Sequence, residues 1–397
     1  MLMTRPAAAS QPIDEPIDSL RWNHAAAAAL IEYAETIGAE GLDPTRYDLT
    51  PVETALAAGD DSELNAAAAS LFDKIAADLA HGAAPATARR RWRLADDPDD
   101  FDSLSQAALG RNDVAGTLAE LSPRHPQFVA LKIALAQGGL KKSQRESLLA
   151  NMERWRWMPR ELGANYVFVN IPELELHVVR DGREVSRHRI VAGARKTPTP
   201  QFETMATGVV FNPTWFVPRS IAENDGINAL LRRNPAEAQR RGYYVEDESV
   251  RQKPGATNPL GQVKLVMPNP YSVLLHDTST PSKFNREKRF LSHGCIRVEG
   301  ALDFAAELLQ PYWTRAAIDE IVATNETNEV ELNEPIRIYV GYFTVVADSE
   351  GALRHYSDIY GLDGAIRQST AESNTGKETT IAAAEPVFEG CLSAATR

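Results

Sequence analysis

Cys295 has neighbours that could make its thiol a nucleophile. It lies in the segment Ser292-His293-Gly294-Cys295-Ile296-Arg297-Val298. A thiol attacks as the thiolate, and an imidazole or a cation nearby lowers its pKa from about 8.5. His293 and Arg297 supply such groups, and Gly294 allows a tight turn whose backbone N–H groups can converge on one oxyanion. The segment therefore predicts a catalytic cysteine rather than an inert buried one.

A second histidine, His276, ends an apolar run just before the polar loop 279–289. Strand ends that open into loops commonly display catalytic groups. We expect His276 to be the general base for Cys295, although His293 could exchange roles with it. A zinc site made of His276, His293 and Cys295 is an alternative, because an open zinc site needs only three protein ligands.

The composition excludes several classes of protein. The chain has 397 residues, 43% of them hydrophobic, and no apolar run approaches the roughly 18 residues of a membrane span. The formal charge of −12 gives no general attraction to nucleic acid. Only Cys295 and Cys391 are present, so each thiol is considered singly, and Cys391, in a polar tail, is expected to be exposed and incidental. A globular protein of two or three domains is predicted.

The elements that must position these residues change along the chain. An Ala- and Leu-rich region from Trp22 to about Ala150 has helical spacing, with helices predicted over residues 25–37, 62–81, 103–121 and 126–136. Short β-branched and aromatic runs begin near Asn165, and Asp181-Gly182 indicates a hairpin. The predicted strands are residues 166–171, 175–179, 186–191, 207–211, 263–267 and 271–275, and a final hairpin is predicted within residues 336–356.

The two histidine and cysteine segments together resemble a known family. His276-Asp277-Thr278, followed after a long loop by Ser292-His293-Gly294-Cys295 and Arg297, is similar to the signature of the L,D-transpeptidases of bacterial cell-wall synthesis. Further segments are similar to the large, scaffolded branch of that family: residues 151–159, 211–215, 254–264, 342–344 and 358–361. The resemblance covers about Trp22 to Leu362.

The resemblance implies an α+β fold and a division into domains. We expect a flexible N-terminus over 1–19, a helical scaffold domain over 20–163, a mainly β catalytic domain over 164–367 and a disordered tail over 368–397. Residues 218–254 are expected to form a helical and loop insertion that caps the active site. The small peptidoglycan-binding module usual in this branch is expected to be missing, because only residues 141–150 separate Gly139 from the Asn151 segment.

The resemblance also implies roles for single residues. Cys295 would be the nucleophile, His276 its base, and the N–H groups of Gly294 and Cys295, with His293 beside them, the oxyanion hole. Arg297 would hold a substrate carboxylate or the loop. The residues expected around the substrate are Ser292, Asp277 and Trp215.

The implied reaction forms 3→3 crosslinks between peptidoglycan stem peptides and releases D-Ala from a tetrapeptide donor. It needs no metal or organic cofactor, and no protein partner is predicted. A periplasmic location is implied, although residues 1–20 contain no signal-peptide pattern. Two rivals remain open: a carboxypeptidase or hydrolase of the same fold, and a non-catalytic wall-binding scaffold protein.

Overall fold

The helical and the β-rich parts of the protein belong to two compact units. The computed structural model describes residues 20–89, 91–94 and 100–373, with side chains to 367. Within these ranges, one unit contains residues 20–81 and 100–122, and the other contains the remaining residues. The predicted α+β fold class is confirmed, since the first unit is helical and the second is built on a sheet.

Helices and strands are numbered in chain order. The helices are α1 (His24–Thr36), α2 (Thr50–Ala58), α3 (Asp61–His81), α4 (Ala86–Arg89), α5 (Phe101–Arg111), α6 (Val114–Ala119), α7 (Pro126–Gln137), α8 (Lys142–Arg156), α9 (Arg219–Asn224), α10 (Ile227–Arg233), α11 (Pro235–Arg240), α12 (Ala301–Leu308), α13 (Arg315–Ala323) and α14 (Leu362–Ser373). The strands are β1 (Tyr166–Asn170), β2 (Glu175–Arg180), β3 (Arg183–Gly193), β4 (Phe202–Phe211), β5 (Trp215–Phe216), β6 (Tyr243–Glu246), β7 (Ser249–Gln252), β8 (Val263–Val266), β9 (Leu275–His276), β10 (Phe290–Ser292), β11 (Ile296–Val298), β12 (Asn328–Gly341), β13 (Val345–Ala347) and β14 (Leu353–His355).

The helical unit follows the apolar spacing of its sequence. Helix α1 begins where the Asn23 side chain accepts the N–H of Ala26. The stretch of helical spacing over 103–121 contains two helices, α5 and α6. Asn112 ends α5 in the left-handed conformation with φ 51°, and the Asp113 carboxylate caps α6 by accepting the N–H of Gly116.

Nine strands form one sheet in the order β10-β3-β11-β9-β8-β4-β12-β1-β2, and β2 also pairs with β3. The first part of the 11-residue strand β3 pairs with β2, and its last residues pair with β11 and β10. The sheet therefore closes on itself through β3. The predicted β2–β3 hairpin is confirmed, with Asp181 and Gly182 at φ 50° and 70°. The core of this unit contains apolar side chains of β1, β2, β4, β8, β12 and α12.

Helices α7 and α8 belong to the sheet unit, whereas the predicted scaffold domain extended to residue 163. Asn151 of α8 bonds through its side chain to both the N–H and the hydroxyl of Thr344. Arg154 forms an ion pair with Asp363 of α14 at 2.6 Å, and both side chains are almost fully buried. Since breaking a buried pair costs about 3–5 kcal/mol, these bonds fasten α8 to the sheet unit.

The insertion over 218–254 contains helices α9, α10 and α11, in agreement with its expected helical and loop character, together with the unpredicted hairpin β6–β7. The hairpin joins β5 in a three-stranded sheet of order β5-β7-β6. Its turn is Asp247-Glu248, with both residues at positive φ. That dipeptide lacks the glycine that usually marks such turns in a sequence, so the pattern gave no hairpin signal.

Two further predictions differ from the structure. The strand predicted over 271–275 pairs only at Leu275 and His276, because the Asn269 side chain bonds four backbone groups of residues 267–273 and folds them into a loop. The tail predicted as disordered from 368 is helical to Ser373, where α14 continues. The remaining tail, 374–397, and the predicted flexible N-terminus, 1–19, lie outside the described residues.

Candidate active site

The turn that carries Cys295 connects β10 to β11 and is held by a serine. The Ser292 hydroxyl donates to the carbonyl oxygen of Cys295 at 2.5 Å and accepts the N–H of Gly294 at 3.2 Å. Gly294 has φ 114°, a conformation that side chains disfavour. Its carbonyl oxygen accepts from the Thr199 hydroxyl at 2.8 Å. Ser292, expected near substrate, therefore acts on the backbone of this turn.

Parallel pairing of β9 and β11 brings the predicted base to the cysteine segment. Residue 296 pairs with 275, and Arg297 pairs with His276. The Sγ atom of Cys295 accepts the N–H of Leu274 at 3.3 Å, two residues before His276. The pairing therefore places the Cys295 turn beside the segment that carries His276 and sets Arg297 against His276.

His276 is buried and neutral at physiological pH. Burial lowers its pKa to about 3, and the positive charges of Arg297 and Lys264 act in the same direction. Its Nδ1 lies 2.5 Å from the carbonyl oxygen of Asp277. A carbonyl only accepts hydrogen bonds, so we assign the proton to Nδ1, which leaves Nε2 as the basic nitrogen. Lys264, which pairs with His276 across β8 and β9, is a charged neighbour for which the sequence gave no role.

Arg297 offers an unsatisfied positive charge beside this histidine. Its Nε and Nη1 are buried and have no hydrogen-bond partner among the described residues. Burial lowers the pKa of this guanidinium, and the pKa of Lys283 is lowered by its own burial and by the charge of Arg297. Because an unpaired buried cation is costly, an anionic group bound here would be stabilised.

Cys295 itself is 2% exposed and packs in an apolar cluster. The cluster includes Trp215, Leu274 and the insertion residues Ala222 and Ile227, so the insertion covers the cysteine. Cys295 is disulfide-bonded in this structure, a state that the sequence did not predict. The other cysteine, Cys391, lies outside the described residues. A disulfide sulfur cannot attack as a thiolate, so the reduced state is the one competent for nucleophilic chemistry.

Three other predicted site residues have surroundings that differ from those expected for their predicted roles. His293 is exposed, and the N–H of Gly294, a predicted oxyanion donor, is engaged by Ser292. The Asp277 carboxylate accepts the N–H of Gln262 at 2.8 Å, and a Cβ at position 261 would lie 2.2 Å from it. Asp277 therefore holds the loop at Gly261, a role that the sequence did not indicate.

The alternative of a zinc site at this position does not fit the geometry. Among the described residues, the His, Cys, Asp and Glu ligand atoms that lie within 4.8 Å of one another belong to Glu173, Glu175 and His177. The ligand atoms of His276, His293 and Cys295 are not gathered in this way. A three-ligand zinc site requires such convergence.

Comparison with known proteins identifies the domain that carries this site. Residues 164–325, which include His276 and Cys295, match the YkuD family model, described as an L,D-transpeptidase catalytic domain. The chain carries an L,D-transpeptidase catalytic domain. Residues 18–135 match a scaffold-domain model, so the transpeptidase domain is accompanied by a scaffold domain as the resemblance implied. That match extends from the helical unit into the sheet unit.

Single relatives are more distant. A Haemophilus influenzae protein provisionally named an L,D-transpeptidase is 29% identical over 242 residues, 56% of this chain and 49% of that protein. The chain thus spans about half the length of this curated relative. Two solved structures each cover 51% of this chain: the Ldtfm–avibactam carbamoyl enzyme, at 14% identity over 63% of its chain, and a cysteine-to-serine mutant of the Enterococcus faecium L,D-transpeptidase, at 13% over 64%. With a TM-score of 0.23 each, neither establishes a common fold.

None of the helices in the described ranges combines the length and the apolar character needed to cross a bilayer.

Proposed function

We propose that the transpeptidase domain forms 3→3 crosslinks between peptidoglycan stem peptides through a thioester on Cys295. The observation that carries the proposal is the neutral, buried His276 on the strand beside Cys295, with the unsatisfied Arg297 guanidinium opposite it. A general base, a thiol and an anion-binding group are the three elements that acyl transfer from a peptide with a free carboxylate needs.

In the first step, Cys295 Sγ attacks the carbonyl carbon of the L-centre of meso-diaminopimelate in a tetrapeptide stem. The thiol proton passes to His276 Nε2, and the C–N bond to D-Ala breaks as the same proton is delivered to the leaving amine. The product is a thioester on Cys295 and free D-Ala. Splitting one displacement into two steps lowers the barrier of each.

In the second step, the side-chain amine of a second stem attacks the thioester. His276 accepts a proton from this amine, a new amide bond forms, and the proton returns to the departing thiolate. The oxyanion of both steps is assigned to the N–H groups of Cys295 and Gly294. The Gly294 N–H must be shared with the Ser292 hydroxyl or released from it, because the two are bonded at 3.2 Å in this structure.

The remaining roles follow from the same arrangement. Arg297 would bind a stem-peptide carboxylate, and Trp215, in the cluster that contains Cys295, would contact the donor stem. Ser292 and Asp277 would act indirectly, by holding the Cys295 turn and the Gly261 loop. Residues 218–254 would act as the cap that excludes water during acyl transfer. Action on the cell wall would take place in the periplasm.

The test is incubation of the reduced protein with purified disaccharide tetrapeptide, followed by mass analysis. Crosslinked dimers together with free D-Ala are expected. Tripeptides without dimers would instead identify the hydrolytic rival, and neither product would favour the non-catalytic scaffold. The Cys295→Ala variant, which retains every other polar group of the site, is the matched control.

A further inference from the structure

A short loop beside the Cys295 turn holds one peptide unit of that turn. The loop runs from Gly193, the last residue of β3, to Thr199, and the Gly193 N–H donates to the Thr199 hydroxyl at 2.9 Å. The same hydroxyl donates to the carbonyl oxygen of Gly294 at 2.8 Å. Thr199 is 0% exposed, so bulk water does not compete for these two bonds. The loop therefore fixes the direction of the Gly294 carbonyl.

The direction of that carbonyl decides where the next N–H points. The Gly294 C=O and the Cys295 N–H belong to one peptide unit, which is trans, and in a trans peptide these two bonds point in nearly opposite directions. Gly294 has no side chain to restrict its backbone, so hydrogen bonds must fix this peptide plane. The Thr199 hydroxyl therefore directs the Cys295 N–H to the side away from itself.

The loop is itself held by a buried tyrosine. The Tyr360 hydroxyl donates to the carbonyl oxygen of Gly193 at 2.7 Å and accepts the N–H of Thr199 at 3.3 Å. The backbone N–H of Tyr360 donates in turn to the hydroxyl of the fully buried Tyr342 at 2.9 Å. A series of buried hydrogen bonds thus fixes the position of Thr199 before any substrate binds.

We propose that Thr199 is a positioning residue for acyl transfer, which holds the Gly294 carbonyl and thereby aims the Cys295 N–H at the oxyanion. The inference rests on the proposed function, in which this N–H is an oxyanion donor. Such donors stabilise the oxyanion best when they are fixed in place before the reaction. A hydrogen bond accepted by the carbonyl also polarises its peptide unit and strengthens the N–H as a donor. Thr199 acts through the backbone and does not contact substrate in this role.

A second threonine of the same loop supplies a matched control. The Thr197 hydroxyl donates to the carbonyl oxygen of Ser292 at 3.0 Å, and this oxygen also accepts the N–H of Ala194 at 2.9 Å. Thr197→Val therefore leaves the Ser292 carbonyl with a partner. The peptide unit of that carbonyl does not include the Cys295 N–H. The control variant thus removes one bond between the loop and the turn without releasing the proposed oxyanion donor.

Two rates measured on the reduced, full-length protein test the proposal. Acylation of Cys295 by a carbapenem forms an oxyanion, whereas alkylation by iodoacetamide displaces iodide and forms none. Removing an oxyanion donor costs about 10²–10³-fold, so Thr199→Val, which misdirects one, should slow acylation about 10- to 100-fold and leave alkylation unchanged. Thr199→Ser keeps the hydroxyl and should restore acylation, and Thr197→Val should react like the wild type. Equal losses in both reactions, or wild-type acylation by Thr199→Val, would overturn the assignment.

A second variant covers the case in which Thr199→Val does not fold. Valine leaves the buried Gly193 N–H without its acceptor, which destabilises the protein, so circular dichroism must accompany the rates. Tyr360→Phe keeps the ring and removes only the hydroxyl that holds Gly193 and Thr199. It should slow acylation about three- to tenfold, the value of one hydrogen bond, with alkylation unchanged. Should only this variant fold, acylation at the wild-type rate would overturn the assignment.

The assignment and the proposed function can fail separately. If the wild type turns over no tetrapeptide but is acylated by the carbapenem, and Thr199→Val is acylated more slowly, the proposed function is contradicted and the assignment stands. Crosslinking by Thr199→Val at the wild-type rate would do the reverse. If dimers form but the carbapenem does not react, the rate of D-Ala release replaces the acylation rate in the same comparison. A wild-type protein that reacts with neither compound would contradict both.

Discussion

His276 and Arg297 lie opposite each other on the parallel strands β9 and β11, and the charge of the arginine helps to keep the histidine neutral. The guanidinium gains no compensating partner among the described residues. Such an arrangement is costly in the unliganded protein, since the buried Nε and Nη1 of a half-buried cation are left unpaired beside a buried base. We propose that it becomes favourable once an anionic substrate group binds, so that the two residues would connect substrate binding to general-base catalysis.

The identity of the base can be decided by comparing two histidine variants. His276→Ala should reduce turnover by about 10²–10⁴-fold, the usual contribution of a general base. His293→Ala should have a smaller effect, because this side chain is exposed. The rate of Cys295 alkylation by iodoacetamide at pH 7 gives a second measurement on both variants. If His293→Ala slows alkylation more than His276→Ala does, the two histidines have exchanged roles.

The reactive thiol can be located with a carbapenem. A strained lactam carbonyl placed against the thiolate imitates the acyl-transfer step, so one covalent adduct per chain is expected on the peptide that contains Cys295. All samples need reductant, because Cys295 is disulfide-bonded in this structure. The adduct should disappear in Cys295→Ala and persist in Cys391→Ala. Intact-protein mass and peptide mapping measure both outcomes, and the opposite pattern would show that Cys391 is the nucleophile.

Arg297→Gln should impair donors that have a free carboxylate. Loss of a charged hydrogen bond is worth about 1.5–3 kcal/mol, or about 10- to 150-fold in kcat/KM. The exposed Arg286 provides a control, since Arg286→Gln removes a nearby charge from the surface. A donor amidated at its carboxylate should be much less sensitive to Arg297→Gln. Equal losses with both donors would indicate that Arg297 only supports the fold.

His177 should give the protein a stability that is lost at alkaline pH. Although burial acts in the other direction, the carboxylates of Glu173 and Glu184 raise its pKa from 6.5 to about 9, so the gain is complete below pH 6.5 and disappears as the pH rises through 9. The gain is at most about 3 kcal/mol. The pKa of Glu184, lowered to about 2, reflects the same interaction and is not counted twice.

Urea unfolding at pH 7 and pH 9.5 measures this effect. His177→Gln should lose most of the difference in unfolding free energy between the two pH values. The exposed His355 supplies the matched control, because His355→Gln should leave the difference intact. A wild-type protein equally stable at both pH values would contradict the assignment of a charged, buried His177.

Much of the fold could be read from local patterns. The period of apolar residues predicted α1, α3 and α7 within a residue or two, and Asp181-Gly182 predicted the β2–β3 hairpin. These elements depend on neighbours in the chain. The hairpin at Asp247-Glu248 and the loop around Asn269 depend on unusual turn residues or on the bonds of a single side chain, which the pattern of apolar residues does not indicate.

The sequence by itself determined which residues are chemically competent: Cys295 with Gly294 before it, His276 at a strand end, and Arg297 two residues beyond the cysteine. It could not determine what each side chain contacts. Only the closure of the sheet sets Arg297 against His276 and Lys264, and only packing turns Ser292 and Asp277 toward the backbone. Hydrogen-bond partners and burial are properties of residues brought together in space, and these two properties decide both the charge of His276 and the unpaired state of Arg297.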